Sequence, residues 1–263
     1  MTPPTALDPL LSQLCFPLNA FACATWLEEG YVDYLHYGLF DAEHPDLAAA
    51  QQQSTALILD RLPPPGTHIL EVGIGLGTTA ALLIKRGYRV TGIAPDPAQV
   101  AIARRRARGE ACVAETRFED FPPPPEPFDL ILFQESAQYL APRFLFATAQ
   151  DWLSPGGQVL VLDQFALQST DSRESLLHVG SEFAGHAERQ GFRLLEHLDL
   201  SAKATPTLDY ILRILTAHDD ALRQLLPQSN AELEQLRQAV AANRKRYHQG
   251  VLGYSLYRFR VGA

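Results

Sequence analysis

The chain has 263 residues, of which 46% are hydrophobic and 20% are charged, and its formal net charge is −8. These are ordinary values for a globular protein, and the length allows a substantial core. The acidic balance disfavours a nucleic-acid partner, because phosphate contacts need clustered Lys and Arg.

The N-terminal residues carry no targeting signal that we recognise. The first twenty contain neither Lys nor Arg and no long apolar run, so we expect neither a signal peptide nor a membrane span. Three cysteines without metal-ligand spacing, Cys15, Cys23 and Cys112, fit reduced thiols in a cytoplasmic protein. Residues 1–20 have no clear hydrophobic period and are interpreted as a loose lead-in.

Aromatic residues are concentrated between Ala20 and Phe40, before a first clear helix. The group consists of Phe21, Trp26, Tyr31, Tyr34, His36, Tyr37 and Phe40. These side chains can pack an N-terminal helix against the rest of the protein. Asp46 to Leu62 spaces its apolar residues as an amphipathic helix does, and the Pro-Pro-Pro-Gly sequence of residues 63–66 ends that helix.

The most informative stretch is residues 68–79, His-Ile-Leu-Glu-Val-Gly-Ile-Gly-Leu-Gly-Thr-Thr. Its apolar first half suits a strand that is covered on both faces. The alternating glycines that follow are Gly73, Gly75 and Gly77. Glycines allow a sharp turn and a close approach of a ligand to the backbone, and a helix that begins at Thr78 would aim free N–H groups at that ligand. The pattern predicts a nucleotide-like ligand; a glycine-rich turn without a ligand is the alternative.

The spacing of these glycines indicates which kind of ligand to expect. Gly73-x-Gly75-x-Gly77, preceded by Glu71, resembles the first motif of the class I S-adenosylmethionine-dependent methyltransferases. The dinucleotide fingerprint instead needs a glycine at the position of Thr78. The resemblance implies that Glu71 and the three glycines bind S-adenosyl-L-methionine, that the product is S-adenosyl-L-homocysteine, and that no metal is required.

The second predicted strand, Tyr88 to Ile93, departs from that family at its end. Family members usually carry there an acidic residue that holds both ribose hydroxyls, whereas this chain has Ala94. Asp96 is the best ribose candidate, but Asp before Pro is also a usual helix cap. The helix Asp96–Arg108 follows, and its last turn crowds arginines that complement the helix dipole. These are Arg104, Arg105, Arg106 and Arg108.

The third strand is expected within Ala111 to Phe118, and the residues just past it would hold the adenine. By the resemblance, Phe118 stacks on the ring and Glu119 accepts a hydrogen bond from its amino group. Both could equally be ordinary strand-end residues. An extended loop, Pro122 to Pro125, follows.

The fourth strand, Phe128 to Ser136, ends in residues that should face both cofactor and substrate. Ligands of open α/β sheets bind beyond the carboxyl ends of the strands, which places Gln134 at the cofactor. Glu135 to Leu140 resembles a stretch of the tocopherol, sarcosine and cyclopropane fatty acid enzymes, with Tyr139 where many of them have His. The order that follows also resembles that family: a helix over Phe144–Leu153, a tight Ser-Pro-Gly-Gly turn over residues 154–157, and a fifth strand over Gln158–Asp163.

The remaining elements complete a seven-stranded sheet. They are a helix over Asp171–Gln190 that carries His178 and His186 without a metal-ligand partner, a sixth strand over Phe192–Leu200, helices over Pro206–Leu225 and from Ser229 onward, and an antiparallel seventh strand over Gly253–Arg260. The two helices between the last strands could form a lid with Tyr210 and Tyr247 as pocket candidates. A dimer contact or a plain cap on the core is the alternative.

These elements predict a Rossmann-like α/β fold. We expect a mostly parallel seven-stranded sheet with an antiparallel last strand, helices on both faces, an N-terminal helical cap and a helical insertion before the last strand. The predicted units are residues 1–62 as cap, 63–201 as cofactor-binding core, 202–249 as lid insertion and 250–263 as the final strand of the core.

The predicted chemistry is a direct displacement of a methyl group from a sulfonium. Such a reaction needs alignment and exclusion of water, and a base helps where the acceptor carries a proton. Glu135 is the first candidate for the base, followed by His36 and Tyr139. His36-Tyr37-Gly38 also resembles a signature of the segment that closes over the cofactor in many small-molecule methyltransferases, which places Tyr37 at the cofactor.

The leading hypothesis is therefore a cytoplasmic enzyme that methylates an N, O or C atom of a small molecule, as a monomer or a homodimer. The alternative is a methyltransferase-like binding or regulatory module without catalysis, which Ala94 favours. A nicotinamide dehydrogenase is disfavoured by Thr78.

Overall fold

A computed structural model of the chain describes residues 7–168 and 177–262. The strands are β1 (His68–Val72), β2 (Arg89–Ala94), β3 (Cys112–Glu115), β4 (Phe128–Gln134), β5 (Leu153–Ala166), β6 (Phe192–Asp199) and β7 (Leu252–Val261). The helices are α1 (Pro9–Gln13), α2 (Leu18–Glu29), α3 (Leu47–Leu59), α4 (Thr78–Lys85), α5 (Pro97–Arg106), α6 (Pro142–Trp152), α7 (Gly180–Arg189), α8 (Ser201–Ala204), α9 (Pro206–Ala217), α10 (Asp219–Leu225) and α11 (Asn230–His248). Short 3-10 turns lie at Phe118–Asp120, Ala137–Tyr139 and Pro227–Ser229.

All seven strands form one sheet in the order β3-β2-β1-β4-β5-β7-β6. Neighbours from β3 to β5 pair in parallel, and β7 pairs antiparallel with both β5 and β6. The predicted fold class, with a single antiparallel last strand, is confirmed. Because β1 and β4 lie side by side at the centre, their carboxyl ends bring Val72 and Gln134 to the same edge of the sheet.

The central strands are buried on both faces, as their continuous apolar sequences predict. In β4, Leu130 and Leu132 belong to an apolar cluster with α2, α4, α9 and α11. The alternate residues Ile131 and Phe133 belong to a second cluster with α6 and α7. Successive side chains of a strand point to opposite faces, so the sheet is the middle layer between these two groups of helices.

The prediction of a loose lead-in over residues 1–20 is wrong for the described part of that range. Asp8 caps α1 by accepting a hydrogen bond from the Leu10 N–H at 3.2 Å, and Pro9 is the first helical residue. An Asp-Pro helix start was readable from the sequence, but the helix is too short to show a hydrophobic period. Its Leu11 and Leu14 are buried in a third apolar cluster, against Ala98 and Ile102 of α5.

Several predicted boundaries are also wrong. The predicted helix Asp171–Gln190 begins at Gly180, so His178 precedes it; residues 171–176 lie outside the described ranges. The predicted helix Pro206–Leu225 is divided into α9 and α10 at His218. The third strand, Cys112–Glu115, does lie within its predicted range, and Phe118 begins a 3-10 turn.

The predicted Ser-Pro-Gly-Gly turn is a bulge inside β5. Leu153 already pairs with Phe128, and the register resumes with Leu130 opposite Gln158. Gly156 has a φ of +77°, which lets the backbone turn between those two pairings.

The insertion between β6 and β7 packs on the N-terminal helices. Helix α9 contacts α2 and α11, and the N–H of Gly38 donates to the Thr207 hydroxyl oxygen at 3.1 Å. Elements from the two ends of the chain therefore meet on the same side of the sheet. In the described ranges, no helix is both long enough and apolar enough to cross a membrane.

Candidate active site

The loop between β1 and α4 has three glycines with positive φ, and only one of them borders open space. The φ values are +74° for Gly73, +55° for Gly75 and +76° for Gly77. A Cβ on Gly73 would lie 2.7 Å from Ser136 Cβ, and one on Gly77 would lie 2.7 Å from Ala103 Cα. A Cβ on Gly75 would meet no atom within 4 Å. Packing within the protein therefore accounts for Gly73 and Gly77, whereas Gly75 leaves backbone accessible to a ligand.

The apolar residues between these glycines anchor the loop. Ile74 lies over Gly92 of β2, where a Cβ would come within 2.1 Å of Ile74 Cδ1. Leu76 is buried in the cluster with Leu11 and Leu14 of the N-terminal cap. The loop is thus held by contacts with β2 through Ile74 and with the N-terminal cap through Leu76. The sequence did not show that position 92 must be glycine, because this requirement arises from the Ile74 side chain of another segment.

Two buried polar side chains near the ends of β1 and β4 keep unsatisfied atoms. Glu71 Oε2 and Gln134 Nε2 have no hydrogen-bond partner among the described residues, while Gln134 Oε1 accepts from the Thr79 hydroxyl at 3.2 Å. Burial raises the pKa of Glu71 to about 8, so this carboxyl is mostly protonated at pH 7. Unpaired buried polar atoms are costly, and a polar ligand at this edge would satisfy them.

The Asp96 carboxylate is occupied by backbone donors. Its Oδ1 accepts from the N–H groups of Ala98 and Gln99 at 2.8 and 3.1 Å, and its Oδ2 accepts from the Cys15 N–H at 2.6 Å. The capping interpretation of Asp96 is confirmed. Gln99, on the first turn of the helix that follows β2, is also buried, and sequence reasoning missed it.

The two adenine candidates lie in different environments. Phe118 is buried, and its ring packs against Phe133, Phe144 and Trp152 with centroids 5.6, 6.1 and 5.1 Å away. Glu119 is exposed and pairs with Arg117 at 3.3 Å. The Phe118 ring is therefore part of the core that α6 covers.

Glu135, directly after β4, is held in an unusual conformation. Its φ is +59°, which is uncommon for residues other than glycine and marks functional positions more often than others. Its Oε1 accepts hydrogen bonds from the Tyr37 N–H at 2.5 Å and from the Tyr254 hydroxyl at 2.7 Å. Burial raises the pKa of Glu135 to about 8. The two hydrogen bonds lower this pKa, whereas the charge of Asp163 raises it, and burial has the largest effect.

Tyrosines from distant parts of the chain gather around Glu135. The ring of Tyr37 stacks on Tyr254 with a centroid distance of 5.5 Å and lies 6.3 Å from the ring of Tyr247. The hydroxyls of Tyr37 and Tyr247 both donate to Gln164 Oε1, at 3.3 and 3.4 Å. The insertion therefore contacts this group of tyrosines through Tyr247.

Asp163 and Tyr139 complete this group. Asp163 is fully buried, and its carboxylate accepts from the N–H groups of Gln164 and Gln138 at 2.7 and 3.1 Å. Burial raises the pKa of Asp163 to about 7, against those backbone bonds. Tyr139 is 76% exposed, and desolvation, followed by the charges of Asp163 and Glu135, raises its pKa. It therefore lies mostly in solvent, in the turn that follows Glu135.

Two other candidates are engaged elsewhere. His36 is buried, its Nδ1 bonds the Tyr37 carbonyl at 2.9 Å, and its Nε2 bonds the Thr55 hydroxyl at 3.2 Å. Burial lowers the pKa of His36 to about 4, so the ring is neutral at pH 7. The Tyr210 hydroxyl donates to Glu29 of α2. His36 therefore supports the backbone of Tyr37, and Tyr210 joins α9 to α2.

Comparison with known proteins assigns a domain type to this architecture. Residues 70–161 match the methyltransferase domain family. An uncharacterised methyltransferase of Geobacillus kaustophilus is 26% identical over 182 residues, which cover 68% of this chain and 79% of that protein.

Two solved structures show the same fold. The [4+2]-cyclase SpnF superposes with a TM-score of 0.80 at 20% identity and covers 92% of each chain. The mycolic acid cyclopropane synthase CmaA1, complexed with S-adenosylhomocysteine (SAH) and CTAB, superposes with a TM-score of 0.74 at 19% identity and covers 86% of this chain and 89% of that one. At such identities the likeness concerns the fold.

Proposed function

We propose that this chain, whose residues 70–161 match the methyltransferase domain family, is an S-adenosylmethionine-dependent methyltransferase that methylates a small molecule by direct displacement. The observation that carries the proposal is the site at the carboxyl edge of the sheet. There the accessible backbone of Gly75 lies on the same edge as the half-buried, strained Glu135. The first offers a place for the cofactor, and the second a place for the acceptor.

The residues of the glycine loop fit the cofactor, which supplies the electrophilic methyl group when bound. We propose that the backbone around Gly75 lies against it, and that the unpaired atoms of Glu71 and Gln134 contact its polar groups. Tyr37 covers it from the other side. Since Asp96 is occupied by the α5 N-terminus and by Cys15, we assign the ribose to Gln99, whose amide can both donate and accept.

Glu135 is proposed as the base. A carboxylate with a pKa of about 8 removes a proton near neutral pH far better than an ordinary glutamate does, and Oε1 is already fixed by Tyr37 and Tyr254. The other oxygen, Oε2, remains to take the proton of the acceptor. Tyr139 and Tyr247 line the acceptor, and His36 acts only by supporting Tyr37.

The acceptor that fits this group is an amine or a hydroxyl. Two carboxyls and four tyrosines surround the site, and an anionic group would be repelled by Glu135 or Asp163 once either is ionised. The tyrosine rings offer π faces to an ammonium or an aromatic ring. We propose that residues 1–62 and 202–249 act as the two covers that exclude water from the reaction.

The proposal is tested by titration and by methyl transfer. Calorimetric titration of the purified chain with S-adenosylmethionine, SAH and NADH should show binding of the first two and none of the third. A labelled-methyl assay against panels of amines, phenols and lipids should then identify an amine or phenol as acceptor. Binding of neither methionine-derived ligand would contradict the cofactor assignment. Binding without methyl transfer to any acceptor would favour a binding module.

A further inference from the structure

Arg106, at the end of α5, holds the segment that leads into the site. Its guanidinium donates to the Val32 carbonyl at 2.7 Å and to the Asp33 carbonyl at 2.8 Å, and it also bonds the Thr78 hydroxyl. The Thr78 hydroxyl in turn donates to the Asp33 carbonyl. One side chain therefore joins two carbonyls of the N-terminal cap to the first residue of α4.

The segment held in this way spans the carboxyl edge of the sheet. At one end, Val32 and Asp33 are fixed beside the glycine loop, because Thr78 directly follows Gly77. At the other end, the Tyr37 N–H donates to Glu135 Oε1 at 2.5 Å. Residues 32–37, which we call the strap, thus run from the end of the glycine loop to the end of β4. A ligand on the backbone of Gly75 would therefore lie at the edge of the sheet that the strap spans.

The placement of Arg106 has opposing electrostatic effects, because its charge complements the dipole at the C-terminus of α5 but lies beside another helix start. A cation near the N-terminus of α4 opposes the helix dipole, and burial lowers the pKa of Arg106. The two backbone carbonyls offset that cost with charge-assisted bonds. Neighbouring arginines have other partners: Arg104 donates to the Val113 carbonyl at 2.8 Å, and Arg105 pairs with Asp8. The interpretation of these arginines as complements of the helix dipole therefore leaves out the contacts of Arg106.

We propose that Arg106 is a positioning residue that holds the strap closed over the cofactor and so sets the rate at which cofactor and product leave. This inference rests on the proposed cofactor site. Arg106 touches neither the reacting atoms nor Glu135 and acts through the backbone of the strap. Its carboxylate neighbour Asp33, 3.5 Å away and half-exposed, is not needed, because the strap is held by its carbonyls.

The experiment measures the dissociation rate of SAH by stopped-flow displacement. We expect Arg106→Gln to raise this rate by at least about tenfold, as loss of two charge-assisted bonds implies. Arg106→Lys should fall between wild type and Arg106→Gln, because an ammonium lacks the planar fork. Arg108→Gln removes the same charge from the same helix end at an exposed position and should leave the rate unchanged, as should Asp33→Asn.

Further measurements separate positioning from general destabilisation. In Arg106→Gln, hydrogen exchange should accelerate over residues 32–38 and not in β4, and the KM for the cofactor should rise while the KM for the acceptor stays the same. If Arg106→Gln fails to fold, Thr78→Val removes two bonds of the same group, those of the Thr78 hydroxyl with Arg106 and with the Asp33 carbonyl, and should show a smaller increase in the rate. An unchanged rate in a folded Arg106→Gln protein overturns the inference. Failure of the wild type to bind SAH overturns the proposed function instead.

Discussion

Tyr254 and Glu135 are joined by a hydrogen bond of 2.7 Å from the tyrosine hydroxyl to Oε1 of the carboxyl. Tyr254 is on β7, whereas Glu135 follows β4, with β5 between these two strands in the sheet. The bond opposes the effect of burial on the pKa of Glu135. Tyr254 therefore helps to set the pH at which Glu135, the proposed base, is ionised.

Tyr254→Phe should shift the pH dependence of activity to higher pH. In the wild type, kcat/KM should rise with pH and level off above about pH 8, because only ionised Glu135 accepts a proton. Without the hydroxyl, the carboxylate loses a donor and its pKa rises by roughly one unit. The rate-against-pH profile of both proteins measures this. Tyr88→Phe, which loses a bond to the Pro63 carbonyl at the opposite end of the sheet, is the control, and an identical profile for Tyr254→Phe would contradict the base assignment.

Substitutions at Gly75 and Gly77 should have different effects although both residues have positive φ. Gly75→Val should weaken cofactor binding by more than about tenfold, since its side chain fills the open space beside the backbone. Gly77→Ala should lower the free energy of unfolding by about 2 kcal/mol, because the added Cβ meets the backbone of Ala103. Calorimetric titration and urea unfolding of both variants measure the two effects. Wild-type cofactor affinity in Gly75→Val would contradict the assignment of the cofactor to this loop.

Asp96→Ala should destabilise the fold and leave the cofactor affinity of the folded protein nearly unchanged. Loss of the cap and of the Cys15 contact should cost about 1–2 kcal/mol, as urea unfolding would measure. Asp96→Asn keeps a capping oxygen and should recover most of that loss. If both variants lost cofactor affinity to the same extent, Asp96 would have to contact the ribose.

Glu71→Gln should make stability less dependent on pH. Burial raises the pKa of Glu71 to about 8 in the folded chain, whereas an ordinary solvated glutamate has a pKa of 4.5. Between these two pH values the unfolded state therefore releases a proton that the folded state keeps. The free energy of unfolding therefore falls as pH rises from about 4.5 to 8, at up to about 1.4 kcal/mol per pH unit from this group. Urea unfolding at pH 5, 6 and 7 should show a slope smaller by that amount in Glu71→Gln. The exposed Glu119→Gln should keep the wild-type slope, and an unaltered slope in Glu71→Gln would mean that Glu71 is ionised in the fold.

The parts of the fold that short patterns encode could be predicted from the sequence. The glycine loop, the apolar β4 and the antiparallel β7 each carry a local signal, and their order defined the sheet. Asp96 was correctly interpreted as a cap because the cap bonds residues two and three positions away. The contact of Asp96 with Cys15 could not be predicted, since it depends on how the N-terminal cap packs.

The assembly of the candidate site depends on similarly distant contacts. Glu135 was singled out by its position after β4, but its partners Tyr37 and Tyr254 come from opposite ends of the chain. His36 was a reasonable candidate for a base from the sequence alone. The structure shows it buried and bonded to Thr55 and to the Tyr37 carbonyl, and this burial lowers its pKa to about 4. Gln99 was missed for the same reason: a glutamine on a first helical turn has no sequence signature.

The position of β7 has a consequence for biosynthesis. This strand leaves the ribosome after the other six strands of the sheet, yet it lies between β5 and β6 and brings Tyr254 to Glu135. A nascent chain that ends before residue 252 has an unpaired edge on β5 and lacks the hydroxyl beside the carboxyl. The enzyme can therefore become active only after translation has passed β7, and a shortened translation product would expose the edge of β5 to other chains.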